Sequence, residues 1–146
     1  MSKFVIRSVS SGLKFDLFAA NGHAILTSEV YTTMAACRKG IASVIKNAPS
    51  AKLEDQTEPN RKNLTNPKFE LYIDKAGDYR FRLKARNGEI IAVSENYNAK
   101  AGCLNGIESV RKNAVQAEIL EESPDPKAKA TELTDKIRSN PTLFRK

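Results

Sequence analysis

The histidine and cysteine side chains of this 146-residue chain, which are typical general bases, nucleophiles and zinc ligands, are His23, Cys37 and Cys103. His23 is the only histidine and directly follows an Asn-Gly pair typical of a hairpin turn, whereas a general base needs a positioned partner and a substrate pocket. Both cysteines fall on apolar stripes of predicted helices, where a free thiol packs as a small hydrophobe. A zinc site needs four closely spaced ligands, and neither cysteine has another cysteine or a histidine nearby in the sequence. We therefore expect no catalytic residue, no metal site and no cofactor.

The strongest candidate for a binding surface is a run in which basic and apolar residues alternate. One face of a predicted strand carries four basic side chains, Arg80, Arg82, Lys84 and Arg86. Such a stripe can follow the phosphates of a nucleic acid or another polyanion, with binding that weakens steeply as salt rises. The basic face has no aromatic side chain on which single-stranded bases would stack. We favour a solvated face, or ion pairs with Asp78, Glu89 and Glu95 across the hairpin, and keep polyanion binding as the alternative.

Two identical polar sets are a third candidate. Ser28-Glu29 precedes Tyr31, and Ser94-Glu95 precedes Tyr97. Polar residues kept in both sets are expected of a symmetric ligand site or of an enzyme site. The simpler explanation is that each set ends a strand and leads into a helix, where side chains form hydrogen bonds with the backbone. We favour this structural explanation over ligand binding, and ligand binding over catalysis.

The sets recur because the chain contains an internal repeat. Asn21-Gly22 recurs as Asn87-Gly88 and Gly40-Ile41 as Gly106-Ile107, at a constant offset. Copy one covers residues 3–55, copy two covers residues 69–121, and a polar segment rich in proline and asparagine, residues 56–68, links them. Two copies are too few for an open solenoid. We expect a closed pair with pseudo-two-fold symmetry, in which each copy covers the face that the other cannot bury alone.

Each copy is predicted to contain three strands, a helix and one further strand. Alternation with a period of two predicts the strands of copy one, and a type I′ turn is predicted at Asn21-Gly22. The predicted strands are residues 4–9, 14–20 and 24–30, with final strands at residues 51–55 in copy one and 117–121 in copy two.

The helices show apolar residues every three or four positions. In copy one the predicted helix spans residues 33–47, and Thr32 is the predicted N-cap; Asn98 is the predicted N-cap in copy two. Gly40 and Gly106 lie inside these helices, where glycine costs about 1 kcal/mol relative to alanine. This cost at matching positions predicts close backbone packing, helix against sheet or helix against helix.

Length and composition restrict the class of protein. A chain of 146 residues with 40% hydrophobic content suits one globular domain, so we expect residues 1–121 to form a single domain. No apolar run is long enough to span a membrane, and the start lacks the apolar core of a secretory signal. Two isolated cysteines fit reduced thiols, which suggests a cytoplasmic protein. The formal net charge of +7 supports weak affinity for polyanions in general. Residues 122–146 form a polar tail, in which residues 127–139 are a candidate helix.

The second copy carries the sequences DKAGDYRFRLKARNGEIIAVSENY and AGCLNGIESVRKNA. With these sequences in tandem, residues 3–121 resemble the YegP-like family of small bacterial and archaeal proteins of unknown function. The resemblance implies β-β-β-α-β units, in tandem or as homodimers, that share one antiparallel sheet and exchange their final strands. The segment 51–55 would then pair with copy two, and the segment 117–121 with copy one. The first copy lacks the basic strand, so a function of that strand would belong to one copy alone, and the family supplies no catalytic residue.

Together these observations predict an α+β fold made of two tandem β-β-β-α-β repeats. We expect a monomer, because the repeat already forms an internal pair, and a non-enzymatic binding or interaction module with an unknown protein or ligand partner. Nucleic-acid or other polyanion binding through Arg80, Arg82, Lys84 and Arg86 is the alternative.

Overall fold

The computed structural model describes residues 1–122 of the chain. The polar tail and the candidate helix over residues 127–139 lie outside this range. Within it, the elements follow the predicted order β-β-β-α-β twice, and no helix is long and apolar enough to cross a lipid bilayer. The elements are β1 (Lys3–Val9), β2 (Gly12–Phe18), β3 (Ala24–Ser28), α1 (Met34–Asn47), β4 (Lys52–Asp55), β5 (Lys68–Ile73), β6 (Tyr79–Lys84), β7 (Ile90–Val93), α2 (Lys100–Ala114) and β8 (Glu118–Glu121).

The eight strands of residues 1–122 form one mixed sheet in the order β4-β5-β6-β7-β3-β2-β1-β8. The final strand of each copy pairs with the first strand of the other copy, β4 with β5 and β8 with β1. Both of these pairs are parallel, so the prediction of a wholly antiparallel sheet is wrong. A tight hairpin forces antiparallel pairing, but residues 56–67 join β4 to β5, and β1 and β8 lie far apart in the sequence. Neither pair is restricted by a tight turn, so the parallel direction is possible.

The core lies on one face of this sheet. Phe4 meets Phe15 edge to face with ring centroids 5.8 Å apart, and Phe69 meets Phe81 at the same separation. The apolar stripes of both helices pack in the same cluster as these rings. Because successive side chains of a strand point to opposite faces, the helices cover one face of the sheet and leave the other face to polar and smaller side chains.

The helical glycines allow a tyrosine ring to approach each helix. A Cβ atom on Gly40 would lie 2.7 Å from Cζ of Tyr31, and one on Gly106 would lie 2.9 Å from Cζ of Tyr97. Close packing was predicted at both glycines, but the approaching group is an aromatic side chain rather than a neighbouring backbone. The tyrosine rings also stack on Phe15 and Phe81, with centroids 6.3 Å apart in each pair.

The helix starts differ from the predicted N-caps by one residue. Thr33 caps α1, and its Oγ1 accepts a hydrogen bond of 3.0 Å from the N–H of Ala36. Ala99 occupies the cap position of α2 and supplies no side-chain bond. The predictions of Thr32 and Asn98 are therefore wrong. Adjacent threonines are equally suitable caps in copy one, and in copy two the packing of the helix sets its start rather than a capping side chain.

The Asn-Gly hairpins are present, but their turns are not of type I′. In copy one the N–H of Gly22 donates to the carbonyl of Ala19, and the N–H of Ala19 donates to the carbonyl of His23, each at 2.9 Å. Gly22 has a positive φ of 89°. This pattern is a three-residue loop with a type I turn closed by a glycine in the left-handed region. Asn21 stabilises it by accepting the N–H of His23 at 3.0 Å.

The open face of the sheet as a candidate binding surface

The face of the sheet opposite the helices is called the open face, and it has two halves. The first half comprises β8, β1, β2 and β3, and the second half comprises β4, β5, β6 and β7. Cross-strand register places one residue of each strand in a single row across this face. From the first half to the second, the row is Leu120, Val5, Asp16, Thr27, Val93, Arg82, Glu70 and Glu54.

Glu70 on β5 is the centre of an ion-pair network in the second half. Its carboxylate contacts Arg82 Nε at 2.6 Å, Lys68 Nζ at 3.2 Å and Lys84 Nζ at 3.5 Å. Lys68 also contacts Glu54 of β4 at 2.8 Å. Glu54, Glu70 and Lys68 are all buried, so these charges interact with little screening by solvent.

Residues 56–67, which link the two copies, close over this network. The N–H of Leu64 donates to one oxygen of Glu54 at 2.7 Å, and the amide of Gln56 donates to the other oxygen at 2.8 Å. Burial alone would raise the pKa of Glu54, but these bonds and the one from Lys68 outweigh burial and lower the pKa to about 2. Burial likewise opposes the charge of Lys68, yet its bonds to Glu54 and Glu70 raise its pKa. The network is therefore ionised at neutral pH.

Three of the four predicted polyanion-binding residues belong to these ion pairs. Arg82 and Lys84 contact Glu70, and Arg80 Nε contacts Asp74 at 2.7 Å. The partners predicted across the hairpin, Asp78, Glu89 and Glu95, are therefore wrong for these three cations. Proximity in the β6–β7 hairpin suggested those acids, whereas the actual partners come from β5 and from the turn that follows it.

Arg86 is separated from the other three. It follows the end of β6 and lies in the turn before β7 rather than in a strand.

Arg82 makes a further contact besides its ion pair, since its guanidinium carbon lies 4.6 Å from the ring centroid of Tyr72. The alternation of residues 79–86 predicted a shared face for four basic side chains, and the strand places three of them there. The alternation does not indicate the acids and the aromatic ring that contact these three.

The first half of the open face carries fewer charges. Arg7 Nε contacts Asp16 at 2.6 Å, and Lys3 lies 6.0 Å from the ring centroid of Phe18. Val5 and Leu120 occupy the positions in the row that Glu70 and Glu54 occupy in the second half. Leu120 is 39% exposed, whereas Glu54 is 2% exposed. The outer part of the first half is therefore apolar and open to solvent.

A groove of about 380 Å³ lies where the two halves meet, and we call it the junction groove. Only two residue pairs join β3 to β7, and beyond them Ser94 turns toward β6, with its N–H donating to the carbonyl of Phe81 at 2.8 Å. The sheet therefore opens between the start of β3 and the end of β7. Side chains of both halves line the junction groove, among them Lys14, Asp16, Thr27, Arg80, Val93 and Glu95.

Among the half-buried side chains of the junction groove, two polar groups have no partner within residues 1–122. Lys14 is half-buried and forms no ion pair there, and Oγ1 of Thr27 is buried without a hydrogen bond. The sequence singled out neither residue. In the sequence, each is an ordinary strand residue. Only the register of the strands shows that each lies beside the gap between β3 and β7.

The repeated polar sets have structural roles. The hydroxyl of Ser28 accepts the N–H of Phe15 at 2.9 Å and donates to the carbonyl of Glu29 at 2.7 Å. The hydroxyl of Ser94 makes the same two bonds with Phe81 and Glu95 at the same distances. Each serine replaces a missing backbone bond of the sheet, in agreement with the structural explanation. Of these sets, Ser94 and Glu95 of copy two line the junction groove, and no residue of the copy-one set does.

The reactive side chains do not meet. Cys37 and Cys103 are fully buried, which confirms their packing role, and burial raises the pKa of each thiol to about 11. His23 is exposed beside its turn. Within residues 1–122 no three histidine, cysteine, aspartate or glutamate side chains gather in a group that would hold a metal ion. A thiol with so high a pKa is a poor nucleophile at neutral pH.

Comparison with known proteins gives a consistent family. The model of a domain of unknown function, DUF1508, matches twice, over residues 10–55 and 74–121. A UPF0339 protein of Treponema denticola is 67% identical over 54 residues, which cover 37% of this chain and 93% of that protein. The UPF0339 protein YegP of Yersinia pestis is 38% identical over 120 residues, 82% of this chain and 94% of that protein. The first of these relatives therefore has the length of one copy, and the second has the length of two.

Two solved structures are similar to this fold. The solution structure of YegP from Escherichia coli, a protein of unknown function, has a TM-score of 0.68 and 32% identity, covering 85% of this chain and 95% of that one. A UPF0339 protein from Shewanella oneidensis has a TM-score of 0.67 and 31% identity, covering 82% and 90%. The descriptions of these relatives name no enzymatic activity and no binding role. The chain therefore belongs to the UPF0339 family, whose DUF1508 domain of unknown function it contains twice.

Proposed function

We propose that this protein is a non-enzymatic binding module that takes its ligand or partner on the open face of the sheet. The junction groove carries this proposal. The helices cover the opposite face, and residues 56–67 close over the outer part of the second half, so the groove is a concave part of the sheet left uncovered by residues 1–122. Its volume of about 380 Å³ falls in the range of small-molecule sites.

The contacts made by the cysteine and serine side chains support a non-enzymatic role. Both thiols pack inside the core, and both repeated serine hydroxyls bridge backbone groups. A broad activity screen tests this part of the proposal. Turnover that disappears in Cys103→Ser or Glu95→Gln, in a protein that is still folded, would overturn it.

The proposal includes the organisation of the chain. Residues 1–121 form a single domain with repeats at residues 3–55 and 69–121 and a linker at residues 56–68, related by a pseudo-two-fold axis between β3 and β7. The strand order supports this axis, because outward from the β3–β7 pair each side meets a second strand, a first strand and an exchanged final strand. We further propose a cytoplasmic monomer. Its mass can be checked by analytical ultracentrifugation, in which a dimer would contradict it.

Polyanion binding through Arg80, Arg82, Lys84 and Arg86 remains the second proposal. Its support is the net charge of +7 and the partial exposure of the side chains of Arg80, Arg82 and Lys84, between 26% and 34%. A polyanion would compete with Glu70 and Asp74 for these cations. Because Glu70 is buried, the competition is costly, and we expect weak binding that is lost as salt rises.

Titration with labelled single- and double-stranded oligonucleotides, followed by amide NMR shifts at low and near-physiological salt, tests the second proposal. Shifts concentrated on residues 80–86 at low salt, absent in a variant with all four cations replaced by glutamine, would support it. The same variant binding as well as the wild-type protein would exclude this surface. A matched control is Lys39→Gln on the exposed surface of α1, which should leave binding unchanged.

A further inference from the structure

The equivalent positions Lys14 and Arg80 differ in their partners. Both lie in the second strand of their copy, one residue before the buried Phe15 and Phe81, and both line the junction groove. Arg80 contacts Asp74 at 2.7 Å and also donates to the carbonyl of Ser94 at 3.1 Å. Lys14 has neither kind of contact within the described part of the chain.

The sequence gives the reason for this difference. Alignment of Phe4 with Phe69 places Val9 at the position of Asp74. The acid that neutralises the second-half cation is therefore replaced by an apolar side chain in the first half. Arg7, the other nearby cation, contacts Asp16 at 2.6 Å, and Asp16 forms no ion pair with Lys14. Lys14 therefore lines the groove as a cation without a counter-ion among residues 1–122.

A second polar group of the same groove is also unsatisfied. Thr27 and Val93 face each other across the β3–β7 pair and are equivalent in the repeat. The hydroxyl of Thr27 is buried and has no hydrogen bond within residues 1–122, whereas the apolar Val93 needs none. At two equivalent pairs of positions, the first half therefore holds a polar group without a partner, where the second half holds a paired cation and an apolar side chain.

We propose that the junction groove binds a small organic anion, whose phosphate or carboxylate group contacts Lys14 in the way that Asp74 contacts Arg80. The apolar walls of the groove, which include Ala24 and Val93, contact the carbon skeleton of this ligand. The inference rests on the proposed binding function and assigns it a ligand class. Glu95 on the groove wall disfavours large polyanions, so the ligand carries one or two negative charges.

The test uses inorganic phosphate and acetate as probes, titrated into the protein at constant ionic strength and followed by amide NMR. We expect saturable shifts at residues 14, 27 and 93–95. Lys14→Met should raise the dissociation constant about tenfold or more, the loss expected when a charge-assisted contact is removed. Lys39→Met on α1 should bind as the wild type does. A larger response to phosphate than to acetate, or the reverse, identifies the anionic group.

A second variant tests the geometry without removing the lysine. Val9→Asp installs the acid that the second half has, so it should neutralise Lys14 internally and weaken anion binding about tenfold while the protein stays folded. Shifts that persist unchanged in both Lys14→Met and Val9→Asp would overturn the proposal, as would shifts spread evenly over all cations.

A panel of uncharged small fragments separates this inference from the proposed function on which it rests. Fragment shifts in the junction groove without any anion shifts would overturn the anion assignment alone. A groove that responds to neither probe set would overturn both.

Discussion

The two halves of the open face share one backbone arrangement and carry opposite kinds of side chain. In the row across the sheet, Glu54, Glu70 and Arg82 of the second half correspond to Leu120, Val5 and Asp16 of the first half. On the helix face the copies are nearly identical, with matched phenylalanine pairs at the same separation of 5.8 Å. Core packing fixes the helix face in both copies, whereas the open face can change without cost to the core.

The covering segment accounts for much of this difference. Residues 56–67 close over the second half and bury Glu54, so that its ion pairs are isolated from solvent. The outer strand of the first half is exposed along its whole length. A buried charge must be paired, whereas an exposed position tolerates an apolar side chain. The second half therefore holds buried charges that are paired with one another. The first half holds the polar groups, Lys14 and Thr27, that have no partner within residues 1–122.

The largest expected effect comes from replacing Glu70, the centre of the ion-pair network. Glu70→Val installs the first-half residue, leaves Arg82 without its carboxylate and leaves Lys68 with Glu54 alone, so we expect a loss of about 3–5 kcal/mol in the free energy of unfolding. Val5→Ala, which also shortens a side chain in the row, should cost about 1 kcal/mol. Urea unfolding measures both. Equal losses would show that the network adds nothing to stability.

Acid should remove the stabilisation that Glu54 gives to the second half, and the first half has no equivalent carboxylate to lose. Because the pKa of Glu54 is lowered to about 2 in the folded protein from an ordinary value of 4.5, its stabilisation is complete above pH 4.5 and is lost as the pH falls toward 2. The difference corresponds to about 3 kcal/mol. Thermal unfolding between pH 2 and 6 should therefore have a flatter pH dependence in Glu54→Gln. Leu120→Gln, at the equivalent position, should keep the wild-type slope; a slope unchanged in Glu54→Gln as well would contradict the assignment.

The helix face should respond equally in both copies. Gly40→Ala and Gly106→Ala each push a Cβ atom into a tyrosine ring, so each should destabilise the protein by about 1–3 kcal/mol. Gly102→Ala is the matched control within α2, since its Cβ meets the nearest atom of Tyr97 at an ordinary 3.4 Å. That substitution should stabilise by up to about 1 kcal/mol. Chemical denaturation measures both losses in the free energy of unfolding. Unequal losses at Gly40 and Gly106 would show that the tyrosine–helix packing differs between the copies.

The smallest expected effect concerns the helix caps, which do differ between the copies. Thr33→Ala removes the hydrogen bond to Ala36 and should cost about 1 kcal/mol, whereas Ala99→Thr should gain about 0.5–1 kcal/mol by supplying the missing cap. Thr32→Ala, one residue earlier, should change stability by less than about 0.5 kcal/mol. A larger loss at Thr32 than at Thr33 in denaturant unfolding would restore the cap predicted from the sequence.

The sequence predicts this fold in considerable detail because the repeat supplies every element twice. The order of elements, the buried cysteines and the close approach at Gly40 all follow from periodicity and repeated residues. The direction of the final strands does not, because it depends on where each helix returns the chain to the sheet. The N-cap at Thr33 was missed because its neighbour is an equally suitable residue.

The candidate site is far less visible in the sequence. The sequence shows four basic residues in alternating positions. The partners of Arg80, Arg82 and Lys84 are Glu70 and Asp74, which come from a different strand and a different turn. Lys14 is unremarkable in sequence, and its importance depends on Val9 standing where Asp74 stands in the other copy. Such a difference is detectable only when the copies are aligned strand by strand, and the groove itself depends on the short β3–β7 pairing.

The pairing of β1 with β8 has a consequence for synthesis on the ribosome. Lys3 opposes Glu118, so β1, which leaves the ribosome before the other seven described strands, pairs with the last of them. At ordinary translation rates β1 waits on the order of ten seconds for this partner. A nascent chain arrested before residue 118 should therefore be more sensitive to protease at β1 than the released protein.

During that wait the outer edge of β1 is an unpaired strand edge of the kind that recruits other chains. Lys3 and Arg7 lie on this strand, and their charges oppose pairing with a second nascent copy on the same messenger. The exchange of final strands thus joins the two copies once β8 has left the ribosome. Until then, β1 depends on its own charges to avoid pairing with another chain.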